Sequence, residues 1–107
     1  FLMWSIRRCI LAQWFPAKRT VIYVEFADRV ALKRWWLIVA DGEVDLCIKD
    51  HGHEVDLSLY TDLKTLTHYF DSRLSLTQAK STGLLRLTGS GELVRGFAQW
   101  LQRPSPG

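Results

Sequence analysis

The sequence predicts an α+β domain, an antiparallel sheet of about five strands with helices packed on one face, preceded by an N-terminal amphipathic helix. Three observations predict it. Short β-rich segments divided by turn residues fill the first half of the chain, apolar residues recur at helical spacing in the second half, and Gly or Pro residues end these segments. Strands followed by helices are typical of α+β domains. The 107 residues suffice for one domain with its own core.

The chain opens with an apolar segment, FLMWSIRRCILAQWF, which predicts an amphipathic helix closed by Pro16. Its apolar face carries Met3, Ile6, Ile10 and Trp14. The segment is too short to span a bilayer, has an arginine pair in its middle and lacks a small-residue cleavage site, so we expect neither a membrane span nor a signal peptide. We assign residues 1–16 to this helix, as a linker to an upstream domain or a dimerisation element, residues 17–103 to the domain, and residues 104–107 to a tail.

Four segments in the first half predict strands, at residues 20–26, 34–40, 44–49 and 54–59. The last two alternate apolar and polar residues, which indicates one face toward water. The second, RWWLIVA, is apolar on both faces and therefore has to be covered on both. Its two sets of side chains are Trp35, Leu37 and Val39 against Trp36, Ile38 and Ala40. Turn residues after the second and third strands favour hairpin connections.

Something must cover the far side of the first two strands. One candidate is the N-terminal helix, folding back with Trp4 and Trp14. The other is a second copy of the protein, because an unshielded apolar patch favours association. The two are compatible, since the helix can be exchanged between subunits. We therefore expect a homodimer.

Residues 61–101 predict two helices, a strand and a final helix. Asp62 can cap the first helix, and Ser75 with Gln78 has the spacing of a capping box at the second. Gly83 ends that helix, because glycine enters the left-handed conformation without steric cost. A strand follows at 84–88. The final helix has one apolar stripe, formed by Leu93, Val94, Phe97, Trp100 and Leu101.

No pattern of reactive residues points to catalysis. The net charge of +3 comes from basic pairs spread along the chain, which argues against a nucleic-acid footprint. Cys9 and Cys47 lack metal or redox spacing and indicate small buried side chains in a reducing cytoplasm. His51 and His53 lie in a turn without a third ligand cluster. We expect no enzyme activity, no catalytic residue, no cofactor and no metal.

The runs DLKTLTHYF and LSLTQAKSTGLLRLTGSGELVRGFAQWL resemble the second half of the sterol carrier protein 2 domain. With the arginine pair near the start and RWWLIVADGEVDLCIKDHGHEVDL in the middle, the chain is similar to that domain as it occurs behind the winged helix of HxlR-type bacterial transcriptional regulators. The resemblance covers residues 20–101. It implies a sterol-carrier-protein-2-like fold in which the space between sheet and helices accepts a lipid- or sterol-like molecule.

The resemblance therefore implies a cytoplasmic sensory or dimerisation domain that binds a small hydrophobic ligand, contacting DNA only through a domain upstream of Phe1. The candidate ligand-binding residues are Trp35, Trp36, Leu63, Leu66, Phe70, Leu76, Ala79, Phe97, Trp100 and Leu101. One alternative is that these side chains pack at crystal-like density, with the tryptophans filling the tunnel, and form a dimerisation module without a ligand. Another is an accessory domain of a hydrolase.

Overall fold

Five strands and five helices make up the part of the chain that this computed structural model describes, residues 2–16, 18–29 and 31–102. The helices are α1 (Leu2–Cys9), α2 (Leu63–Phe70), α3 (Leu76–Ser81), α4 (Gly91–Arg95) and α5 (Phe97–Trp100), with a 3₁₀ turn at Ala12–Trp14. The strands are β1 (Thr20–Phe26), β2 (Arg34–Ala40), β3 (Glu43–Cys47), β4 (Leu57–Thr61) and β5 (Leu85–Gly89). The predicted tail at 104–107 lies outside the described residues.

The strands form one sheet in the order β3-β2-β1-β4-β5, and the predicted α+β class is confirmed. Three of the four neighbouring pairs are antiparallel, whereas β1 and β4 are parallel. The expected hairpin between the third and fourth strands is therefore wrong. Asp56 explains the difference, because its N–H donates to Val21 O at 2.9 Å while its carboxylate accepts the Val21 N–H at 2.8 Å. These two bonds hold the start of β4 against β1 and not against β3.

The sheet has an inner face toward the helices and an outer face away from them. Residues opposite each other in neighbouring strands share a face, so the register of Val24 with Trp35 and Leu59 identifies the inner face. All five helices contribute side chains to one apolar core on this face, or pack partly buried ones against it. The outer face carries the strand side chains that alternate with these, including Tyr23, Trp36, Ile38 and Tyr60.

The N-terminal helix lies on the inner face, so the expectation that it folds back over the far side of β1 and β2 is wrong. Met3 and Ile6 of α1 are buried in the same core as Leu37. Arg7 Nε donates to Val44 O at 2.7 Å, which fixes α1 beside β3. The end of the chain holds the helix there, because Leu11 N–H donates to Trp100 O at 2.8 Å.

The connection from β3 to β4, residues 48–56, crosses the outer side of the sheet. β3 ends on one side of β2 and β1, and β4 begins on the other side of these two strands, so this segment has to pass across one of their faces. None of its residues is buried, which rules out a path between the sheet and the helices. Val21 is nevertheless only 2% exposed on the outer face, beside Asp56. The connection therefore covers one end of that face.

The predicted helix caps are confirmed. Asp62 accepts the Thr65 N–H at 2.6 Å, and Ser75 and Gln78 form the reciprocal capping box. The final helix differs from the prediction, because it breaks at Gly96 into α4 and α5. None of the helices in the described ranges has the length and apolar character that a bilayer crossing needs.

Candidate ligand-binding site

A cavity of about 690 Å³ lies between α1, α2 and the β1–β2 end of the sheet. Its volume falls within the range of about 300–1,000 Å³ that is typical of small-molecule sites. Its walls are mostly apolar, formed by Leu2, Met3, Trp4, Phe26, Leu32, Trp35, Leu63 and Phe70. Four polar residues complete the described lining, Ser5, Arg29, Thr67 and Asp71.

The α2 wall of the cavity follows from helical spacing. Leu63, Thr67 and Phe70 recur at i, i+4 and i+7, which places them on one face. The Thr67 hydroxyl donates to Leu63 O at 2.7 Å, so its hydrogen-bonding demand is met inside the helix. Asp28 accepts the Leu63 N–H at 2.9 Å and anchors the first turn of α2 to the segment after β1.

The sheet wall is formed by Phe26 at the end of β1 and Trp35 near the start of β2. Phe26 is buried, and Trp35 is half-buried against the core. The Trp35 indole N–H donates to Leu32 O at 2.8 Å, so the polar edge of the ring is satisfied while its apolar surface lines the cavity. Leu32 has a φ of 54°, a conformation that is unusual for a bulky side chain.

The mouth of the cavity combines apolar and charged side chains. Trp4 is 49% exposed and Leu32 is 54% exposed, although both line the cavity. Arg29 and Asp71 are exposed at the same site, one from the segment after β1 and one from the end of α2. The charges therefore lie where water reaches them, and the deeper walls are apolar.

The structure brings three of the ten candidate residues together in this cavity, Trp35, Leu63 and Phe70. Five others are buried in the core, Leu66, Ala79, Phe97, Trp100 and Leu101, and Leu76 packs half-buried against it. Trp36 lies on the outer face, opposite Tyr23 and Cys47, and does not line the cavity. The three bulky tryptophans of the list thus occupy different places, and only Trp35 borders the open space. Whether any of them contacts a ligand stays a prediction.

Sequence reasoning did not assign the α1 side of the cavity. Leu2, Met3 and Trp4 line it, and so do Phe26 and Leu32. A partial signal was present for two of them, because Met3 is on the apolar face of α1 and alternation places Phe26 on the same face of β1 as Ile22 and Val24. Nothing local indicated that α1 lies over the same sheet face as α2.

No group of three His, Cys, Asp or Glu side chains is placed to hold a metal ion within the described ranges. The rings of His51 and His53 have centroids 6.3 Å apart, on the exposed connection between β3 and β4. Cys9 and Cys47 are both free thiols, on α1 and on β3. The arrangement in the cavity offers apolar surface and a charged mouth, which suits binding.

Most of this chain matches the model of a known protein family. The model of the SCP-2 sterol transfer family matches residues 17–102. No curated protein sequence matches it.

Solved structures show the same fold at low sequence identity. A stereoselective inverting sec-alkylsulfatase from Pseudomonas sp. is similar at a TM-score of 0.70 and 19% identity, over 95% of this chain and 16% of that one. Palmitated SCP2L2 from Aedes aegypti is similar at 0.66 and 14%, over 99% and 96% of the two chains. The ubiquinone synthesis protein UbiJ-SCP2 is similar at 0.60 and 18%, over 91% and 71%. The chain thus spans 16% of the length of the alkylsulfatase, and these likenesses concern the fold alone.

Proposed function

This chain belongs to the SCP-2 sterol transfer family, and on that premise we propose that it binds a small lipid- or sterol-like molecule in the cavity between α1, α2 and the sheet. The observation that carries the proposal is the cavity itself, about 690 Å³ of space with mostly apolar walls. A solid core without a ligand is the rival function. An apolar guest would remove Trp4, Leu32 and Leu63 from water, which favours occupancy.

The division of the lining supports a ligand with an apolar body and a polar end. Phe26 and Phe70 lie deep and buried, whereas Arg29 and Asp71 are exposed at the mouth. A polar or charged end held near the mouth keeps its hydration, so it does not bear the free-energy cost of transfer into an apolar site. In this arrangement the chain acts by binding, with no bond-making step.

A cavity-filling substitution tests the proposal. We expect wild-type protein to bind a fluorescent fatty-acid analogue, and Leu63→Trp to weaken that binding at least tenfold because the indole occupies the space of the ligand. The matched control is Leu84→Trp, since Leu84 is 48% exposed and is not among the cavity residues. Circular dichroism verifies that both variants fold. Wild-type protein that takes up neither the fatty-acid probe nor a sterol probe would contradict the proposal.

The context in which the domain works is a second part of the proposal. The resemblance described above favours the sensory half of a cytoplasmic bacterial regulator, with DNA contacted by a winged helix upstream. A ligand could shift such a neighbouring domain only by its differential affinity for two states of the protein. The alkylsulfatase likeness favours an accessory domain of a longer hydrolase instead. The coding sequence on both sides of these 107 residues distinguishes the regulator from the hydrolase, because a winged helix and a hydrolase domain have readily distinguished sequences.

A further inference from the structure

The outer face of the sheet carries a row of aromatic side chains across its three central strands. Tyr23 of β1 lies between Trp36 of β2 and Tyr60 of β4, with ring centroids 5.3 Å and 6.1 Å away. All three are half-buried. The buried side chains of the helices belong to the core on the inner face, so these helices do not cover the aromatic row.

Further apolar side chains extend this surface. Ile38 and Ala40 of β2 are half-buried on the same face as Trp36. Contiguous apolar surface of this kind marks an interaction site more often than an isolated exposed leucine does. We call this set of side chains, with the aromatic row, the outer patch.

The charges around the outer patch are separated by sign along the strands. At one end, Arg34, Glu25, Tyr60 and Arg86 stand side by side across β2, β1, β4 and β5. Glu25 is half-buried, accepts the Tyr23 hydroxyl at 2.5 Å and lies 4.0 Å from Arg34. The Arg34 side chain is 63% exposed, and the Arg86 guanidinium lies over the Tyr60 ring at 5.3 Å. This end therefore presents two arginines to one carboxylate.

The other end of the patch is acidic. Asp45 stands opposite Ile38, and Glu43 stands opposite Ala40, on the exposed edge strand β3. Arg34 and Ala40 are the two ends of β2, so the basic and acidic ends lie roughly 20 Å apart at ~3.3 Å per residue. A surface with apolar residues in the middle and opposite charges at its ends is complementary to itself when it is turned end for end.

We propose that the outer patch is the interface of a homodimer, in which a second copy packs face to face with its strands reversed. A two-fold axis running across the strands places the aromatic rows of the two copies together at the centre. The same axis brings Arg34 of each copy toward Asp45 of the other. Aromatic and arginine side chains are the residues that most often dominate protein interfaces, and an isologous contact of this kind closes at two subunits.

Charge reversal tests this arrangement more sharply than removal of the apolar surface. We expect sedimentation equilibrium of the 107-residue chain to show a dimer from low to high micromolar concentration. Arg34→Glu and Asp45→Arg should each raise the dimer dissociation constant about tenfold or more, because each places like charges opposite one another. The combined Arg34→Glu, Asp45→Arg variant restores the attraction with reversed polarity, and its dissociation constant should return toward that of wild type.

Substitution of an apolar residue of the outer patch gives an independent test. Trp36→Lys, in the aromatic row, should weaken the dimer, whereas Ala98→Lys, at an exposed residue of α5 on the helix side of the sheet, should leave it intact. Neither side chain belongs to the buried core, and circular dichroism verifies that both variants fold. A wild-type chain that is monomeric throughout the concentration range overturns the proposal. So does a dimer that survives both single charge reversals, or a double reversal that fails to restore what the single ones weaken.

Discussion

The absence of a side chain at Gly96 allows the ring of Trp14, near the start of the chain, to pack closely against the break between α4 and α5. The φ of Gly96, −88°, suits any residue, so the requirement for glycine is steric. A Cβ added there would lie 2.6 Å from Cη2 of Trp14, a rigid ring packed edge-on against Phe15. We expect Gly96→Ala to lower the free energy of unfolding by about 1–3 kcal/mol through overpacking, measured by urea denaturation. Gly91→Ala is the control, because its new methyl group meets only the movable guanidinium of Arg95; equal losses in both variants would contradict the steric explanation.

Tyr23 should make stability fall at alkaline pH. Burial of the hydroxyl and its hydrogen bond to Glu25 raise the pKa of Tyr23 above the ordinary tyrosine value of about 10. The folded state thus holds this proton more tightly than the unfolded state, so the stabilising contribution is complete below about pH 10 and is lost progressively as the pH rises above it. We expect Tyr23→Phe to flatten this alkaline decline in urea unfolding, and Glu25→Gln to flatten it in part. Parallel declines in wild type and both variants would argue against Tyr23 as the source.

The residues of β2 show where sequence reasoning stops at this scale. Alternation along the strand correctly separates Trp35 from Trp36, because successive side chains point to opposite faces. Whether Trp35 or Trp36 points toward the helices depends on where the helices pack, and no local sequence pattern contains that information. The candidate list therefore included Trp36, which lies on the outer face, and omitted Phe26, which lies on the inner face.

The start of α2 depends on the side chain of Asp62. Its carboxylate accepts the Thr65 N–H at 2.6 Å, which satisfies one of the backbone donors that a helix start leaves unpaired. We expect Asp62→Ala to destabilise the protein by about 1 kcal/mol in thermal or urea unfolding. Asp62→Asn keeps an accepting oxygen and should retain most of the stability. If the asparagine variant loses as much as the alanine variant, the cap is not the cause.

Some structural elements are determined by residues close together in the sequence, and others by residues far apart. The caps at Asp62 and Ser75 involve residues three apart, and the sequence predicts both. The parallel pairing of β1 with β4 depends on bonds between Val21 and Asp56, 35 residues apart, and the hairpin preference of the turn residues gave the wrong partner. The position of α1 likewise depends on Leu11 bonding to Trp100 near the other end of the described chain, which α1's own amphipathic pattern cannot reveal.

The whole molecule places its two proposed binding surfaces on opposite sides of one sheet. The ligand cavity borders the inner face through Phe26 and Trp35, and the proposed dimer interface lies on the outer face. A packed sheet transmits coupling only if it has two discrete arrangements that both sites bias, and nothing in this sheet provides a second one. Substitutions at separated sites usually add within about 0.3–0.5 kcal/mol, which corresponds to a change of roughly twofold in affinity.

We therefore expect the two binding events to be independent. Asp45→Arg, on the outer face, should weaken the dimer and leave the dissociation constant of the fatty-acid probe within about twofold of wild type. Leu63→Trp, in the cavity, should block the probe and leave the sedimentation behaviour of the protein unchanged. Probe titrations at several protein concentrations provide a further check, because linkage is reciprocal and a coupled ligand would change affinity as the dimer dissociates. A tenfold shift in probe affinity on dissociation would mean that the sheet, or the connection between β3 and β4 that crosses it, rearranges between the two states.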